Sequence, residues 1–316
     1  MPKIQHPSTL AIHPRDDNFM GGCEHYRFRI PFEELRKRVE GAVFDWSPMA
    51  GVRKWAQSNS TLGPTQYDTW VLTRARPLPY MGGDRLPEEM QWQIKRELGV
   101  ELEGKSHLLD LVDLFKPYMH LVLEYDDDYW TDARDLGYKP MDLFYELTQK
   151  ADAITVSTDY LKGLVQKYSP GIPAYVLPNV VNFAEWQDWQ RWDFWPEDHI
   201  VIALTGSKTH YGDWKILENV LPRIMEEHGN VVYLGAGYLP DYLESLVAKF
   251  PDRVFFKDFV DYMAYPGLIR QADIVLCPVD PDDGFNLGKS AIKAIEGMAA
   301  GRDLDGKLKG GAGPGT

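Results

Sequence analysis

The sequence predicts an α/β protein with two doubly wound, Rossmann-like domains, each built on a parallel sheet with helices on both faces. Short apolar runs alternate with helical patterns along most of the 316 residues. The runs are nearly continuous in apolar residues, which is typical of strands buried on both faces. The alternation stops once, in the Trp-rich segment 179–196, and then restarts. We therefore predict an N-terminal domain over residues 1–178, a linker over 179–196 and a C-terminal domain over 197–301, with a cleft between the domains.

The N-terminal domain begins with a predicted strand at Thr9–His13, a Gly-Gly turn and a helix that Pro31 is expected to kink or split. In chain order the further strands are GAVFDW, DTWVLTR, HLVLEY, DAITVST and AYVLP, and the further helices are LPEEMQWQIKREL, SHLLDLVDLFKP, MDLFYELTQKA and DYLKGLVQKY. Most strands are followed by a helix that can cross back over the sheet, which predicts parallel pairing.

The C-terminal domain repeats the same alternation. Its predicted strands are HIVIALTGS, NVVYLGAG, RVFFKDF and DIVLCPV, and its predicted helices are DWKILENVLPRIMEEHG, PDYLESLVAKFP, MAYPGLIRQA and NLGKSAIKAIEGMAAG. The tail 302–316 is Gly-rich and aperiodic, so we expect it to be disordered. A sheet of this type normally continues with another strand, so a truncated C-terminal domain is an alternative.

Net charge, cysteine spacing and hydropathy limit the classes of function that the sequence allows. The formal net charge of -13 argues against a nucleic-acid partner, which is held by Lys and Arg, but leaves room for a small phosphorylated ligand. The two cysteines, Cys23 and Cys277, have no zinc-type spacing and are expected to be buried thiols, with a disulfide between them as the alternative. No leader pattern and no transmembrane segment is evident, so we expect a cytoplasmic protein. The oligomeric state is open.

The segment LTGSKTHYGDW is the first candidate site. A predicted strand runs into Gly206 and Ser207, and a helix is expected within a few residues. Backbone N–H groups at such a helix start suit a diphosphate, and Lys208 and His210 add charge or hydrogen bonds. The alternative is a plain strand-to-helix turn with Asp213 as the helix N-cap.

The segment DPDDGFNLGKSAIKAIEGMAAG is the second candidate. On a continuous helix Lys289, Lys293 and Glu296 fall at i, i+4 and i+7 and share one face. Lysine neutralises phosphate, and a carboxylate accepts hydrogen bonds from ribose hydroxyls. A turn containing Phe285 and Asn286 precedes this helix and is included in the predicted site. The alternative is a solvated helix face with a salt bridge.

Two further segments lie at predicted strand ends in the N-terminal domain. In MGGCEHYRFRIP, Gly22 permits close approach of another molecule, and His25 and Arg27 follow at a helix start. An exposed basic turn is the alternative for that segment. In EYDDDYW, Glu124 and three aspartates follow the strand HLVLEY.

Together these segments resemble the bacterial and phage glycosyltransferases of the GT-B fold, of the group 1 or family 4 type. The resemblance rests on ADAITVSTDYLKGLV, YVLPNVV, LTGSKTH and ADIVLCPV followed by FNLGKSAIKAIEGMAAG. It covers most of the chain from about residue 110 to 301 and, more loosely, the N-terminal GCEHYRFRIP. It implies a nucleotide-diphosphate sugar bound by the C-terminal domain and an acceptor bound by the N-terminal one. By family motif Gly206, Ser207 and Lys208 lie near the diphosphate and Lys289 reaches the donor phosphates. Glu296 holds the ribose, whereas Gly288 stands where the family has another glutamate.

The resemblance also gives the acidic run a role. Glu124, Asp126, Asp127 and Asp128 are expected near the acceptor or the transferring sugar, with Asp126 or Asp127 as an alternative cap for the next segment. We list Glu124, Asp126, Asp127 and His25 as candidate catalytic residues, with His25 as a base. A Mg²⁺ or Mn²⁺ site formed by the aspartates is a weaker alternative.

The function that follows is a hexosyltransferase that moves a sugar from a nucleotide-diphosphate donor to an acceptor hydroxyl. The resemblance implies retention of configuration and no required metal or other cofactor. The acceptor is a glycan, a protein or a lipid carrier. One alternative is a non-catalytic relative that binds nucleotide or glycan, and a weaker one is a metal-dependent transferase that uses the aspartates.

Overall fold

The computed structural model describes residues 8–13, 25–48, 67–75, 92, 95–96, 107–131, 141–187, 189–192 and 194–301. Several predicted features lie outside these residues. They are Gly22, Cys23, most of the helix predicted for LPEEMQWQIKREL, and the tail 302–316.

The described residues form two compact units. The first contains the described residues from Ser8 to Asn179 together with Leu287–Ser290, and the second contains Val180–Asn286 and the described residues from Ala291 onward. The segment predicted as a linker is therefore part of the second unit from Val180. Its Trp186 is fully buried in an apolar cluster with Val201 and Val232.

The first unit is built on a six-stranded parallel sheet. Its strands are β1 (Ser8–His13), β2 (Val43–Pro48), β3 (Thr69–Thr73), β4 (His120–Tyr125), β5 (Ala153–Val156) and β6 (Ala174–Val176). They pair in the order β2-β1-β3-β4-β5-β6. The chain thus proceeds in one direction from β1 to β2 and in the other from β3 onward. In open parallel sheets, ligands bind beyond the carboxyl ends of the strands at such a switch point, here between β1 and β3.

The helices of the first unit are α1 (Ile30–Arg38), α2 (His107–Phe115), α3 (Met141–Lys150) and α4 (Asp159–Tyr168). A π-helical turn, His25–Arg29, precedes α1. Pro31 lies in the first turn of α1, where its missing N–H is tolerated. The helical run is continuous from His25 to Arg38 and changes from π-helical to α-helical at Ile30, so Pro31 does not split it. Thr158 caps α4 by accepting a hydrogen bond from the Leu161 N–H at 3.3 Å.

The second unit is built on a four-stranded parallel sheet. Its strands are β7 (Ile200–Gly206), β8 (Val231–Gly237), β9 (Val254–Lys257) and β10 (Ile274–Val275), in the order β10-β7-β8-β9. From β7 the chain adds β8 and β9 on one side and then β10 on the other side. The strand order therefore reverses at β7, and its carboxyl end is the switch point of this sheet.

The helices of the second unit are α5 (Phe183–Gln187), α6 (Val220–Glu227), α7 (Asp241–Lys249), α8 (Tyr265–Ile269) and α9 (Ile292–Ala299). Two of them, α6 and α9, begin several residues after their predicted start. A 3₁₀ turn, Asp213–Leu217, replaces the start of the first predicted helix, because Pro222 is compatible only with the first turn of α6. A second 3₁₀ turn, Gly284–Gly288, precedes α9 and is bounded by two glycines, which are poor helix formers.

A search of the helices in the described ranges found none that is both long enough and apolar enough to cross a membrane.

Candidate functional site

The carboxyl ends of the first unit's strands carry a buried ion pair. Arg27 donates from Nε to Oε1 of Glu124 at 2.5 Å, and each side chain is 3% exposed. Nη1 of Arg27 also donates to the carbonyl of Leu177 and, at 3.3 Å, to Oδ1 of Asn179. The guanidinium therefore joins the end of β4 to the segment after β6. Within the described residues, Nη2 of Arg27 and Oε2 of Glu124 have no hydrogen-bond partner.

Burial dominates the electrostatics of Glu124. Removal from water raises the pKa of its carboxyl, the neighbouring Arg27 lowers it and Asp126 raises it, and the net result is a pKa of about 7. Near neutral pH the carboxyl is therefore divided between its charged and neutral forms. This behaviour differs from that of an exposed acid at a strand end.

Arg74 is a member of this cluster that sequence reasoning missed. It directly follows β3, with a positive φ of 50°, and its N–H donates to the carbonyl of Glu124 at 2.7 Å. Its Nε donates to the Tyr129 hydroxyl at 2.8 Å and lies 3.3 Å from Oδ1 of Asp126. Its Nη2 lies 3.4 Å from Oδ2 of Asp127. The guanidinium thus supplies positive charge to both aspartates.

The cap in the acidic run is Asp128. Its Oδ1 accepts from the N–H groups of Trp130 and Thr131 at 3.0 and 2.8 Å, and its Oδ2 accepts from the Thr131 hydroxyl. The side chain is fully buried. The expectation that Asp126 or Asp127 makes the cap was wrong, because these two side chains are instead paired with Arg74.

His25 is also fully buried, on the π-helical turn, with its ring edge-on to that of Tyr26 at 5.8 Å. In this conformation it has no exposed surface from which to reach an acceptor hydroxyl. Across the described part of the chain, no three His, Cys, Asp or Glu side chains are grouped as metal ligands.

Lys289 is not on the helix that carries Lys293 and Glu296. The 3₁₀ turn ends at Gly288 and α9 begins at Ile292, so the predicted shared face of three residues was wrong. Lys289 belongs to the first unit, where its Nζ lies 4.0 Å from Oδ1 of Asp127. Gly288 beside it is closely packed, since a Cβ there would come 2.8 Å from Cδ2 of Leu161.

In the second unit, the carboxyl end of β7 is pressed against β8. Gly206 and Gly237 are paired in the sheet, and the N–H of Tyr238 donates to the carbonyl of Gly206 at 2.9 Å. A Cβ on Gly237, which has a φ of 102°, would overlap that carbonyl oxygen. The turn after β7 is thereby held by backbone contacts in which no side chain fits.

No α-helix begins directly at this turn. A short 3₁₀ turn, Lys208–His210, follows Ser207, and the next one starts at Asp213. The helix that was expected within a few residues of Gly206 and Ser207 is therefore a 3₁₀ turn and not an α-helix. The Ser207 hydroxyl is hydrogen-bonded to that of Thr209 at 2.8 Å, and Lys208 is exposed.

Asp213 is the centre of a buried polar cluster in the second unit. It is not an N-cap, because Gly212 occupies that position in a helical conformation. Its Oδ2 lies 2.8 Å from Nδ1 of His210, and its Oδ1 accepts from the N–H of Asp280 at 3.0 Å and from Nδ2 of Asn286 at 2.5 Å. One carboxylate therefore ties the turn after β7 to the loop after β10.

The predicted turn residues Phe285 and Asn286 lie in this same loop after β10. Phe285 is buried, and its N–H donates to Oδ1 of Asp283 at 3.0 Å. The Asn286 amide donates to Asp213 and to the carbonyl of Asp280, at 3.0 Å in the second case. Both residues shape the loop around the site.

Glu296 lies on α9 and is 6% exposed. Its Oε2 accepts from the Tyr265 hydroxyl at 3.1 Å, and that hydroxyl is hydrogen-bonded to Thr205 Oγ1 of β7 at 2.7 Å. Burial raises the pKa of Tyr265 well above its usual value, so the phenol stays protonated and can donate. The half-buried Lys293 lies one turn before Glu296, and the charges of both act on the thiol of Cys277, whose pKa is raised by burial.

Sequence comparison assigns no family. No family model matches the chain, and no curated protein sequence matches it.

Solved structures do share the fold. Sucrose-phosphate synthase from Thermosynechococcus elongatus is 14% identical, with a TM-score of 0.54 over 94% of this chain and 80% of that one. OtsA is 10% identical, with a TM-score of 0.52 over 94% and 82% of the two chains. An assigned UDP-N-acetylglucosamine 2-epimerase from Listeria monocytogenes is 10% identical, with a TM-score of 0.50 over 85% and 73%. At these identities the likeness shows the fold alone, and the predicted fold class, α/β of the GT-B type with two parallel sheets, is confirmed.

Proposed function

We propose that this chain is a glycosyltransferase that moves a sugar from a nucleotide-diphosphate donor to an acceptor hydroxyl, and that its second unit holds the donor. One observation carries the proposal. The buried carboxylate of Glu296 is fixed through Tyr265 to Thr205, at the carboxyl end of the strand where the sheet order reverses. That is the position at which open parallel sheets bind nucleotides.

The donor would be held by parts with different tasks. Glu296 would accept hydrogen bonds from the two ribose hydroxyls, and the Tyr265 hydroxyl would keep the carboxylate oriented. The diphosphate would lie against the turn at Gly206 and Ser207, where Lys208 and His210 provide donors. Lys293 on α9 adds a positive charge.

The first unit would bind the acceptor, which we propose to be a glycan, a protein or a lipid-linked sugar. Asp126 and Asp127 would receive hydrogen bonds from sugar hydroxyls while Arg74 balances their charge. Glu124 would act indirectly, by holding Arg27. We further propose that configuration is retained and that no metal is required, because the leaving diphosphate can itself assist in deprotonating the acceptor.

The test is a thermal-shift panel of UDP, GDP, ADP, TDP and their common sugar conjugates, each with Mn²⁺ and with EDTA. A ligand that binds only the folded chain raises the melting temperature by mass action. We expect one nucleotide family to give a shift that survives EDTA and that is lost in Glu296→Gln. Glu244→Gln, an exposed acid on α7, is the matched control and should keep the shift.

A second candidate function is a non-catalytic nucleotide- or glycan-binding protein. The observation that favours it is the close packing of Gly288 on Leu161, which leaves no space for a carboxylate at the position where the resembled family has a glutamate. Transfer or hydrolysis of the nucleotide sugar identified in the panel would eliminate this candidate. Binding that disappears in EDTA would instead support the metal-dependent alternative that uses the aspartates.

A further inference from the structure

Two aspartates and two cations meet where the strands β3 and β4 of the first unit end. The guanidinium of Arg74 lies 3.3 Å from Oδ1 of Asp126 and 3.4 Å from Oδ2 of Asp127. Nζ of Lys289, which belongs to the same unit, lies 4.0 Å from Oδ1 of Asp127. The two oxygens of the Asp127 carboxylate therefore face different cations, and two positive charges balance two negative ones.

The buried pair of Arg27 and Glu124 adjoins this group. The charges of Arg74 and Asp126 both act on the Glu124 carboxyl, and the pair adds one charge of each sign when that carboxyl is ionised. Asp128, the remaining carboxylate of the acidic run, is fully buried, and hydrogen bonds within its own turn occupy both of its oxygens. Among the described side chains that face one another here, each positive charge therefore has a carboxyl group beside it.

Polar atoms of the buried pair and of Thr73 add hydrogen-bonding capacity of both kinds. Nη2 of Arg27, Oε2 of Glu124 and Oγ1 of Thr73 are buried and make no hydrogen bond within the described residues. Thr73 ends β3 and pairs in register with Glu124 of β4, so the two side chains lie on the same face of the sheet. The guanidinium donates, the ionised carboxylate accepts, and the threonine hydroxyl does either. A hydroxyl group matches such a set because it both donates and accepts, whereas a phosphate or a carboxylate only accepts.

An anionic ligand gains little from these charges. Strong binding of a phosphate or carboxylate uses cations that are not already neutralised, and the cations described here are paired with carboxyl groups. The net charge of -13 adds a long-range repulsion of anions. An uncharged sugar avoids both penalties, because its hydroxyls donate to Asp127 and accept from Arg74 without a change in the charge balance. Arg74 and Asp127 are the more exposed members of the group, at 31% and 22%, so a ligand meets them first.

We propose that the first unit binds an uncharged glycan as the acceptor. Asp127, held between Arg74 and Lys289, accepts hydrogen bonds from the glycan hydroxyls and determines the selectivity. That the bound glycan is an acceptor rests on the proposed function. Sugars that carry a phosphate or carboxylate at the contacted position are rejected by the aspartates. The charge of Lys289 is then used beside Asp127, and not on the donor phosphates to which the family resemblance assigns it.

The experiment compares matched pairs of neutral and anionic sugars. The methyl glycosides of glucose, galactose, mannose and N-acetylglucosamine are each paired with the uronide, in which a carboxylate replaces the CH₂OH group. Binding to the full chain is titrated by saturation-transfer NMR at pH 8, where Glu124, with a pKa of about 7, is mostly ionised. The salt concentration is about 0.5 M, so that only charges within a few Å act on the sugar.

The wild-type chain should prefer the neutral member of a pair. We expect at least one neutral glycoside to bind about tenfold more tightly than its uronide, which is the cost of placing a carboxylate beside the aspartates. Binding of the uronide with equal or higher affinity in every pair overturns the proposal. The absence of binding by all four neutral glycosides also overturns it.

Asp127→Asn should weaken this preference. The amide keeps the shape of the side chain and one acceptor oxygen, but it leaves the two cations with one carboxylate fewer. The uronide therefore gains affinity relative to the neutral sugar, and we expect the ratio of the two affinities to fall about tenfold. Asp142→Asn, at an exposed acid in the first turn of α3, makes the same change in net charge and should leave the ratio unchanged. An unchanged ratio in a folded Asp127→Asn, or an equal fall in both variants, overturns the proposal.

Lys289→Met should change the ratio in the opposite direction. The variant keeps the length of the side chain and removes a positive charge beside Asp127, so the carboxylates are in excess and the uronide binds more weakly still. Lys167→Met, at an exposed lysine in the last turn of α4, is the control for net charge. A fall in the ratio for Lys289→Met contradicts the proposal, and this variant remains informative if Asp127→Asn does not fold.

The sugar titrations contain no nucleotide, so they fail independently of the proposed function. A nucleotide-dependent thermal shift without a preference for neutral sugars would retain the glycosyltransferase and reject this selectivity. A preference for neutral sugars that is lost in Asp127→Asn, together with a silent nucleotide panel, would reject the glycosyltransferase and retain the neutral-sugar site.

Discussion

Arg27 and Glu124 pair at 2.5 Å in a setting where each side chain is 3% exposed, and burial nevertheless raises the pKa of Glu124 to about 7. A salt bridge usually stabilises the charged form of a carboxyl. Here desolvation outweighs the attraction of the guanidinium, as it does for many buried pairs. The charge state of Glu124 is therefore coupled to the stability of the first unit.

Glu124→Gln should flatten the pH dependence of stability. The carboxyl has a pKa of about 7 in the folded chain against a reference of 4.5, so the folded state binds more protons between these values. Its contribution is fully present below about pH 4.5 and is lost as the pH rises through about 7, with a total of about 3 kcal/mol. Urea unfolding at pH 5 and pH 8 measures the difference, which the Gln variant should lack. An identical pH dependence in both proteins would contradict the assignment.

Arg27→Met should destabilise the chain most at high pH. The variant leaves the ionised Glu124 buried without its partner, which costs about 3–5 kcal/mol. At pH 5 the carboxyl is protonated, so the loss should be smaller. Arg29→Met is the control, because Arg29 makes a partly exposed i,i+4 pair with Glu33 and should cost about 1 kcal/mol or less at either pH. Equal losses for the two variants would argue against a special role for Arg27.

Tyr265→Phe should weaken nucleotide binding and leave pyrophosphate binding unchanged. The variant removes the hydroxyl that connects Thr205 to Glu296, and the loss of these hydrogen bonds should cost about 1–3 kcal/mol of stability. The nucleotide panel and pyrophosphate calorimetry test the two expectations separately. Tyr118→Phe, at an exposed tyrosine of the first unit, serves as the control. If the variant bound both ligands more weakly to the same extent, the substitution would be acting through a disturbed fold.

Two glycine substitutions should have opposite signs. Gly237→Ala puts a methyl group into the carbonyl of Gly206 at a φ of 102° and should destabilise by about 1–3 kcal/mol. Gly163→Ala lies within α4, where nothing comes within 4 Å of the new methyl group, and should stabilise by about 0.5–1 kcal/mol. Thermal unfolding distinguishes the two outcomes. A neutral Gly237→Ala would show that the end of β7 can move away from β8.

The strands were predictable because a parallel sheet buries both faces, and continuous apolar runs such as that of β4 follow directly from this. Helix periodicity was less informative. The spacing of Lys289, Lys293 and Glu296 fits one face, but it carries no information on where a helix starts. The chain remains non-helical from Lys289 to Ala291.

The parts of the candidate site that could not be predicted depend on partners that lie far away in the sequence. Asp213 is of a residue type that often caps helices, and it lies at the start of a predicted helix. One of the groups that donates a hydrogen bond to it, the Asn286 amide, lies 73 residues away in the sequence. Arg74 belongs to no motif, and its contact with Asp127 spans 53 residues. A polar residue directly after a strand was the one signal that could have placed Arg74 beside the acids, because adjacent parallel strands end at the same edge.

The guanidinium of Arg74 acts as a counterion that is covalently attached to the chain. A bound metal ion exchanges with the medium, and its occupancy follows its concentration, whereas an arginine stays attached and charged at every physiological pH. Arg74 thus supplies part of the charge balance of Asp126 and Asp127 from within the chain, and Lys289, whose Nζ lies 4.0 Å from Oδ1 of Asp127, adds a further positive charge. Chelators, changes in ionic composition and metal depletion therefore do not remove the positive charge that Arg74 supplies.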